Sequence, residues 1–102
     1  LIEYGVEINK ESKYGETALF KACINGNENI VKYLIEKGAD INKENEDDET
    51  PLFKACINGN ENIVKYLIEK GADINKENGD GETSLFSACR IGNENIVKYL
   101  IE

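Results

Sequence analysis

FKACINGNENIVKYLIEKGADINKEN occupies Phe20–Asn45, and the same 26 residues return without a change at Phe53–Asn78. Sliding the chain along itself places Leu1, Leu34, Leu67 and Leu100 in register, a period of 33. Self-similarity at a fixed period of this size is the signature of an array of small supersecondary units. A third copy follows as FSACRIGNENIVKYLIE at Phe86–Glu102, and the opening LIEYGVEINKES matches LIEKGADINKEN. The implied organisation is one domain built from a partial unit over 1–13, units over 14–46 and 47–79, and a truncated unit over 80–102.

Within one unit, Leu19, Ala22 and Cys23 stand at i, i+3 and i+4, and Phe20 and Ile24 are four apart, which predicts a short amphipathic helix over 18–25. Thr17 is placed to cap it, and Thr50 in the next copy is followed by Pro51 at the first helical position. Gly26 breaks the chain. Asn27 then caps a second helix on which Ile30, Val31, Leu34 and Ile35 form one stripe, with Glu28, Lys32 and Glu36 facing water. Gly38 supplies a left-handed stop, and the polar stretch after it reads as a turn or hairpin. Eight-residue helices do not persist alone. Each unit therefore needs a neighbour as its second wall, which is why an unchanged segment can recur: each copy packs on the surface it also offers.

These residues carry a family resemblance. ETPLFKACINGNENIVKYLIEKGADIN, Glu49–Asn75, resembles an ankyrin repeat, whose signature opens G-x-T-P-L-H-x-A-A and continues with a Gly between helices, I-V-x-x-L-L and G-A-D-V-N. The resemblance covers the whole chain. It implies an all-α solenoid of stacked antiparallel helix pairs with projecting β-hairpin or turn loops and a concave groove. Three departures stand out. Phe20, Phe53 and Phe86 replace the family His, so apolar packing is expected where that His makes hydrogen bonds. Pro survives only at Pro51, against Ala18 and Ser84. The turn Gly, present as Gly15 and Gly81, is Asp48 in the middle copy, where a positive φ would carry local strain.

The family protects its ends with polar capping units, and no such unit is visible here. The start at LIEYG, without Met, reads as a piece of something longer. Leu19 and Phe20 are expected to lack an upstream neighbour, and Leu85, Phe86 and Ile96 a downstream one, so self-association head to tail is expected, of a kind that does not close.

Composition narrows the function classes. Twelve Lys and Arg against twenty Asp and Glu give a net charge of −8, which repels a phosphate backbone, so nucleic acid is not an expected partner. Neither a membrane-spanning run nor a secretory signal is legible, and a cytoplasmic, intracellular setting is expected. No His is present, and Ser occurs only at Ser12, Ser84 and Ser87, so no nucleophile–base pair or buried acid–base pair is apparent and no enzyme is expected. Cys23, Cys56 and Cys89 recur with the period. Stacked helices place such thiols about 8–10 Å apart, beyond the roughly 7 Å Cα limit of a disulfide, so they read as small buried hydrophobes rather than as a metal or redox set. ENEDDE at Glu44–Glu49 lacks the alternation and central Gly of a calcium loop and reads as a solvated tip. No metal or cofactor is expected. Tyr33, Tyr66 and Tyr99 are periodic and read as packing on the second helix, whereas Tyr4 and Tyr14 are not periodic.

Where repetition marks scaffold, difference between copies marks recognition. The copies differ within their tips, the segments that hold Lys13, Tyr14 and Glu16, then Glu46, Asp47, Asp48 and Glu49, then Asp80 and Glu82. They differ again on the first helix, where Lys21, Ile24 and Asn25, repeated as Lys54, Ile57 and Asn58, become Ser87, Arg90 and Ile91. In ankyrin-like proteins these positions line the groove that meets partners, so the resemblance implies a non-catalytic protein-interaction module with an acidic rim, suited to a protein partner with a basic segment. The alternative is a self-assembling structural scaffold.

Overall fold

A computed structural model describes residues 5–102, so Leu1 of the register and Tyr4 lie outside the described residues. Six helices follow in pairs: α1 (Ala18–Asn25) and α2 (Glu28–Glu36), α3 (Pro51–Asn58) and α4 (Glu61–Glu69), α5 (Ser84–Ile91) and α6 (Glu94–Ile101). Each first helix starts where a threonine can accept a backbone N–H: Thr17, Thr50 and Thr83 Oγ1 take the N–H of Phe20, Phe53 and Phe86 at 3.2–3.3 Å. Asn27 and Asn93 cap α2 and α6 in the same way. Asn60 does not; its amide donates instead to the Cys23 carbonyl of the preceding unit at 3.4 Å.

The first five helices each end at or just before a glycine at positive φ. At Gly26, φ is +71°, and the N–H groups of Gly26 and Asn27 reach back to Cys23 and Ala22, satisfying carbonyls that the helix end would orphan. Asn27 thus finishes α1 and caps α2, which is how a turn this short reverses the chain. At the end of α2, Gly38 and Ala39 repeat the arrangement on Ile35 and Leu34.

The pairs stack in chain order, first helix on first helix and second on second, with the first helices in closer contact, giving a body of 44 × 25 × 20 Å. One apolar core runs through the stack, including Leu19, Leu52, Ile63, Leu67, Ala88 and Ile96. Burying a Leu or Ile contributes about 1.5–3 kcal/mol.

The direction in which the periodic residues pack corrects the sequence expectation. Phe20 and Phe53 are 0% and 2% exposed, but Phe86 is 52% exposed: this side chain packs against the unit that follows. Ile30 is 48% exposed while Ile63 and Ile96 are 2% and 1%: this one packs against the unit before. Leu19 and Phe20 are therefore buried rather than lacking an upstream wall, and Ile96 is buried rather than lacking a downstream one. Cys23 and Cys56 are buried as expected, but Cys89 is exposed, on the same downstream face as Phe86. Periodic Tyr33 is also exposed; Tyr66 and Tyr99 pack partly on the core, each with a lysine of the preceding unit, Lys32 or Lys65, over its ring at 5.5–5.6 Å.

Among the described residues there is no strand, and the projecting loops are built from turns. In the middle loop the Asn45 carbonyl accepts from the Asp48 N–H at 3.0 Å, and the Asn45 N–H donates to the Glu49 carbonyl at 3.0 Å, the pattern of a three-residue hairpin closed by a left-handed residue. That residue is Asp48, at φ +61°, the one non-glycine at positive φ among the described residues. Gly15 and Gly81 hold the same place at +78° and +77°.

Candidate functional site

The side chain that opens each tip holds the loop rigid. Asn45 Oδ1 accepts from the N–H groups of Asp47 and Glu49 at 2.9 Å each, and Asn78 does the same for Asp80 and Glu82. Ser12 substitutes in the first tip with its hydroxyl, at 3.2 and 3.3 Å from the Tyr14 and Glu16 nitrogens. Successive tips are joined through the backbone: Glu46 N–H donates to the Tyr14 carbonyl at 3.0 Å, and Gly79 N–H to the Asp47 carbonyl at 2.9 Å. Cross-unit ion pairs brace the same edge, Lys43 with Glu11 at 3.0 Å and Lys76 with Glu44 at 2.8 Å. The hydrogen bond that each lysine donates to its glutamate, together with the carboxylate charge, raises the pKa of the lysine. A surface made of loops is thus fixed before anything binds it.

On this edge Lys13, Tyr14, Glu46, Asp47, Asp48 and Asp80 are exposed, with Lys13 Nζ over the Tyr14 ring at 5.1 Å. Glu46, Asp47, Asp48 and Asp80 border an open recess of about 390 Å³ between the second and third tips. On the first helices, Lys21, Asn25, Asn58, Arg90 and Ile91 are exposed, and Ile24, Lys54 and Ile57 are half-buried. Positions 21, 24 and 25 and their repeats stand at i, i+3 and i+4, so they share one helix face. The structure brings tips and first helices together at one place. Glu16 and Glu49, which end the first two tips, pair with Lys21 and Lys54 five residues on, at 3.4 and 3.2 Å. Those two lysines are not free cations under an acidic rim; they neutralise the rim's inner carboxylates. Neither pair is visible as a motif, because a spacing of five is not a helix pairing and the loop's bend creates it.

Ser87 is a correction. It was expected on the recognition face with Lys21 and Lys54, but it is 0% exposed, and its Oγ has no hydrogen-bond partner among the described residues. A lysine carries its ammonium outward on four methylenes, whereas a serine oxygen stops at the helix surface. Glu82, the third loop-end glutamate, accordingly has no cation partner among the described residues. Its Oε1 accepts from Asn78 Nδ2 at 3.2 Å, where Glu49 Oε1 accepts from both Asn45 Nδ2 at 3.0 Å and Lys54 Nζ at 3.2 Å.

No group of three or more His, Cys, Asp or Glu side chains is arranged to hold a metal ion among the described residues. Burial pushes the Cys23 and Cys56 thiols up to about 12, so both are neutral and inert at ordinary pH, and a Ser84 hydrogen bond only partly opposes this at Cys56. Among the described residues no helix is long and apolar enough to cross a membrane.

The family model described as ankyrin repeats, three copies, matches residues 1–78 and again 42–102, which together span the chain. No curated protein matches it.

Proposed function

The chain belongs to the ankyrin-repeat family, and on that premise we propose that its tips and first helices form a concave recognition groove for a protein partner. Ankyrin repeats are in general protein–protein interaction modules and typically perform no catalysis. The observation that supports the groove is where the exposed positions vary. Tyr14, Asp47 and Asp80 on the tips, and Asn58 and Ile91 on the first helices, reach solvent and differ between copies, whereas exposed positions of the second helices, such as Asn29, Asn62 and Asn95, repeat unchanged. An acidic rim of Glu46, Asp47, Asp48 and Asp80 favours a partner segment carrying basic residues and speeds its encounter. Preformed tips lower the ordering cost of binding. Unpaired thiols fit a reducing, cytoplasmic setting. The test is affinity capture on the immobilised chain beside a variant with Tyr14, Asp47 and Arg90 changed to Ala. Proteins retained by the first bait and lost by the second support the groove; identical sets from both remove it.

A second reading, a structural scaffold that stacks head to tail, has its own observation. Phe86 and Ile30 stand exposed on opposite faces of the stack, where their internal equivalents are buried against another unit. Sedimentation over a range of concentrations tests it, and a mass that stays monomeric throughout sinks it.

A further inference from the structure

The third unit lacks two polar contacts, one that both earlier units make and one that the second unit makes, and both lie on the proposed recognition face. Glu16 and Glu49 each hold a lysine of their own unit, but Ser87 leaves the Glu82 carboxylate with no ion pair among the described residues. Asn58 Nδ2 donates across units to the Ile24 carbonyl at 2.6 Å. Its equivalent one unit later is Ile91, which has no donor to offer Ile57, and its side chain is 49% exposed. Ser87 and Ile91 are four apart on α5 and share a face. The nearest candidate to replace the missing lysine from within is Arg90, but it sits in the last turn of α5, where the helix dipole favours a cation. Arg90 forms no ion pair among the described residues.

We infer that Glu82 is the receptor for a lysine or arginine side chain of a partner peptide, which takes the place that Lys21 and Lys54 occupy in the first two units, with Ile91 as the apolar contact beside it. This rests on the interaction-module reading above and makes it specific to one unit. The carboxylate is positioned in advance: Asn78 donates to its Oε1 and accepts from its backbone N–H, as Asn45 does for Glu49. Around that carboxylate, the third unit differs from the second by the absent lysine. In the first two units an arriving basic group must compete with a tethered lysine for the same oxygens; in the third it meets none. The neighbouring exposed Asp80 and Asp47 add attraction of the same sign.

The experiment selects peptides from a phage-displayed library of random dodecapeptides on the intact chain, then measures the affinity of a synthesised binder by fluorescence anisotropy. Enriched peptides are expected to share a lysine or arginine. Ser87→Lys, which restores the arrangement of the first two units, and Glu82→Gln are each expected to weaken binding about tenfold or more, as for loss of a charge-assisted hydrogen bond. Ser87→Ala is expected to leave affinity unchanged. Replacing the shared basic residue of the peptide by norleucine should cost a similar factor, with Ser87→Lys then costing nothing further. Thermal unfolding of each variant checks that it is folded. Binders weakened by Tyr14→Ala or Asp47→Ala yet indifferent to Ser87→Lys and Glu82→Gln overturn the role of Glu82 and leave the groove standing. A selection without a shared basic residue also overturns it. Binders indifferent to every tip and first-helix variant overturn both.

Discussion

Asn42 Oδ1 accepts the N–H of Asp73 at 2.8 Å, while its Nδ2 donates to the Gly71 carbonyl at 3.3 Å, so one side chain ties its own loop to that of the next unit. Asn9 makes the same two bonds to Asp40 and Gly38. Asn75 holds the third place and makes neither with any described residue. The stack is thus joined by an asparagine ladder as well as by its apolar core.

Asn42→Ala should therefore lower stability by about 1–2 kcal/mol, two hydrogen bonds at roughly 1 kcal/mol each. Asn75→Ala, the same change without the cross-unit bonds, should cost less than about 0.5 kcal/mol. Urea unfolding of the two variants compares them directly, and equal losses would show that the ladder is not the cause.

Asp48 holds φ +61° in a place where the other two loops use glycine. A non-glycine residue in the left-handed region carries a strain of about 1–2 kcal/mol, less for Asp than for most, against which glycine loses about 0.5–1 kcal/mol of chain entropy. Asp48→Gly is expected to be stabilising by a few tenths to about 1 kcal/mol, and Gly81→Asp destabilising by a similar amount. A lower melting temperature for Asp48→Gly would show that the aspartate gains more from its surroundings than it loses in strain.

Ser87 presents a buried hydroxyl without a hydrogen-bond partner among the described residues, in the middle of a helix. Removing an unmet buried polar group and adding a better helix former act in the same direction. Ser87→Ala should raise stability by about 0.5–1.5 kcal/mol, measured by denaturant midpoint. A loss on the same measurement would mean that the hydroxyl is satisfied in solution.

Cys23 and Cys56 are buried and Cys89 is exposed, so a thiol-exchange reagent at mildly alkaline pH should modify one cysteine of the folded chain quickly and the other two only on unfolding. Because the two buried pKa values are raised to about 12, the unfolded state releases these protons first. Their contribution is whole below the unfolded thiol range, about 8.5, and is lost as pH rises from there toward 12. Replacing both by Ala should flatten the alkaline limb of the stability profile, read by chemical denaturation at several pH values. An unchanged limb would assign it to other groups.

Much of the fold is legible because it is local. Thr17, Asn27, Gly26 and Gly38 act on backbone groups within a few residues, so capping rules place the ends of α1 and α2 without knowledge of neighbours. The left-handed turn at Asp48 is legible for a similar reason, since two copies of the same loop carry glycine there. The tips and the first-helix face are legible as places where copies differ, but burial is not: Ser87 varies with that face, yet its short side chain does not reach the surface.

The period, the two helices of each unit, their caps and the turn between them follow from residue types at fixed short spacings. Which way each apolar residue packs and which carboxylates are neutralised follow from the stacking of one unit on the next. Ile30, Ile63 and Ile96 share one letter and one local pattern, yet their exposure runs from 48% to 2% and 1%. In a stacked array the environment of a residue comes from the unit beside it, so residues that the period makes equivalent differ only once the stack exists. The pairing of Glu16 with Lys21, and its absence at Glu82, likewise depends on a loop folding back over a helix, a contact set by the path of the backbone.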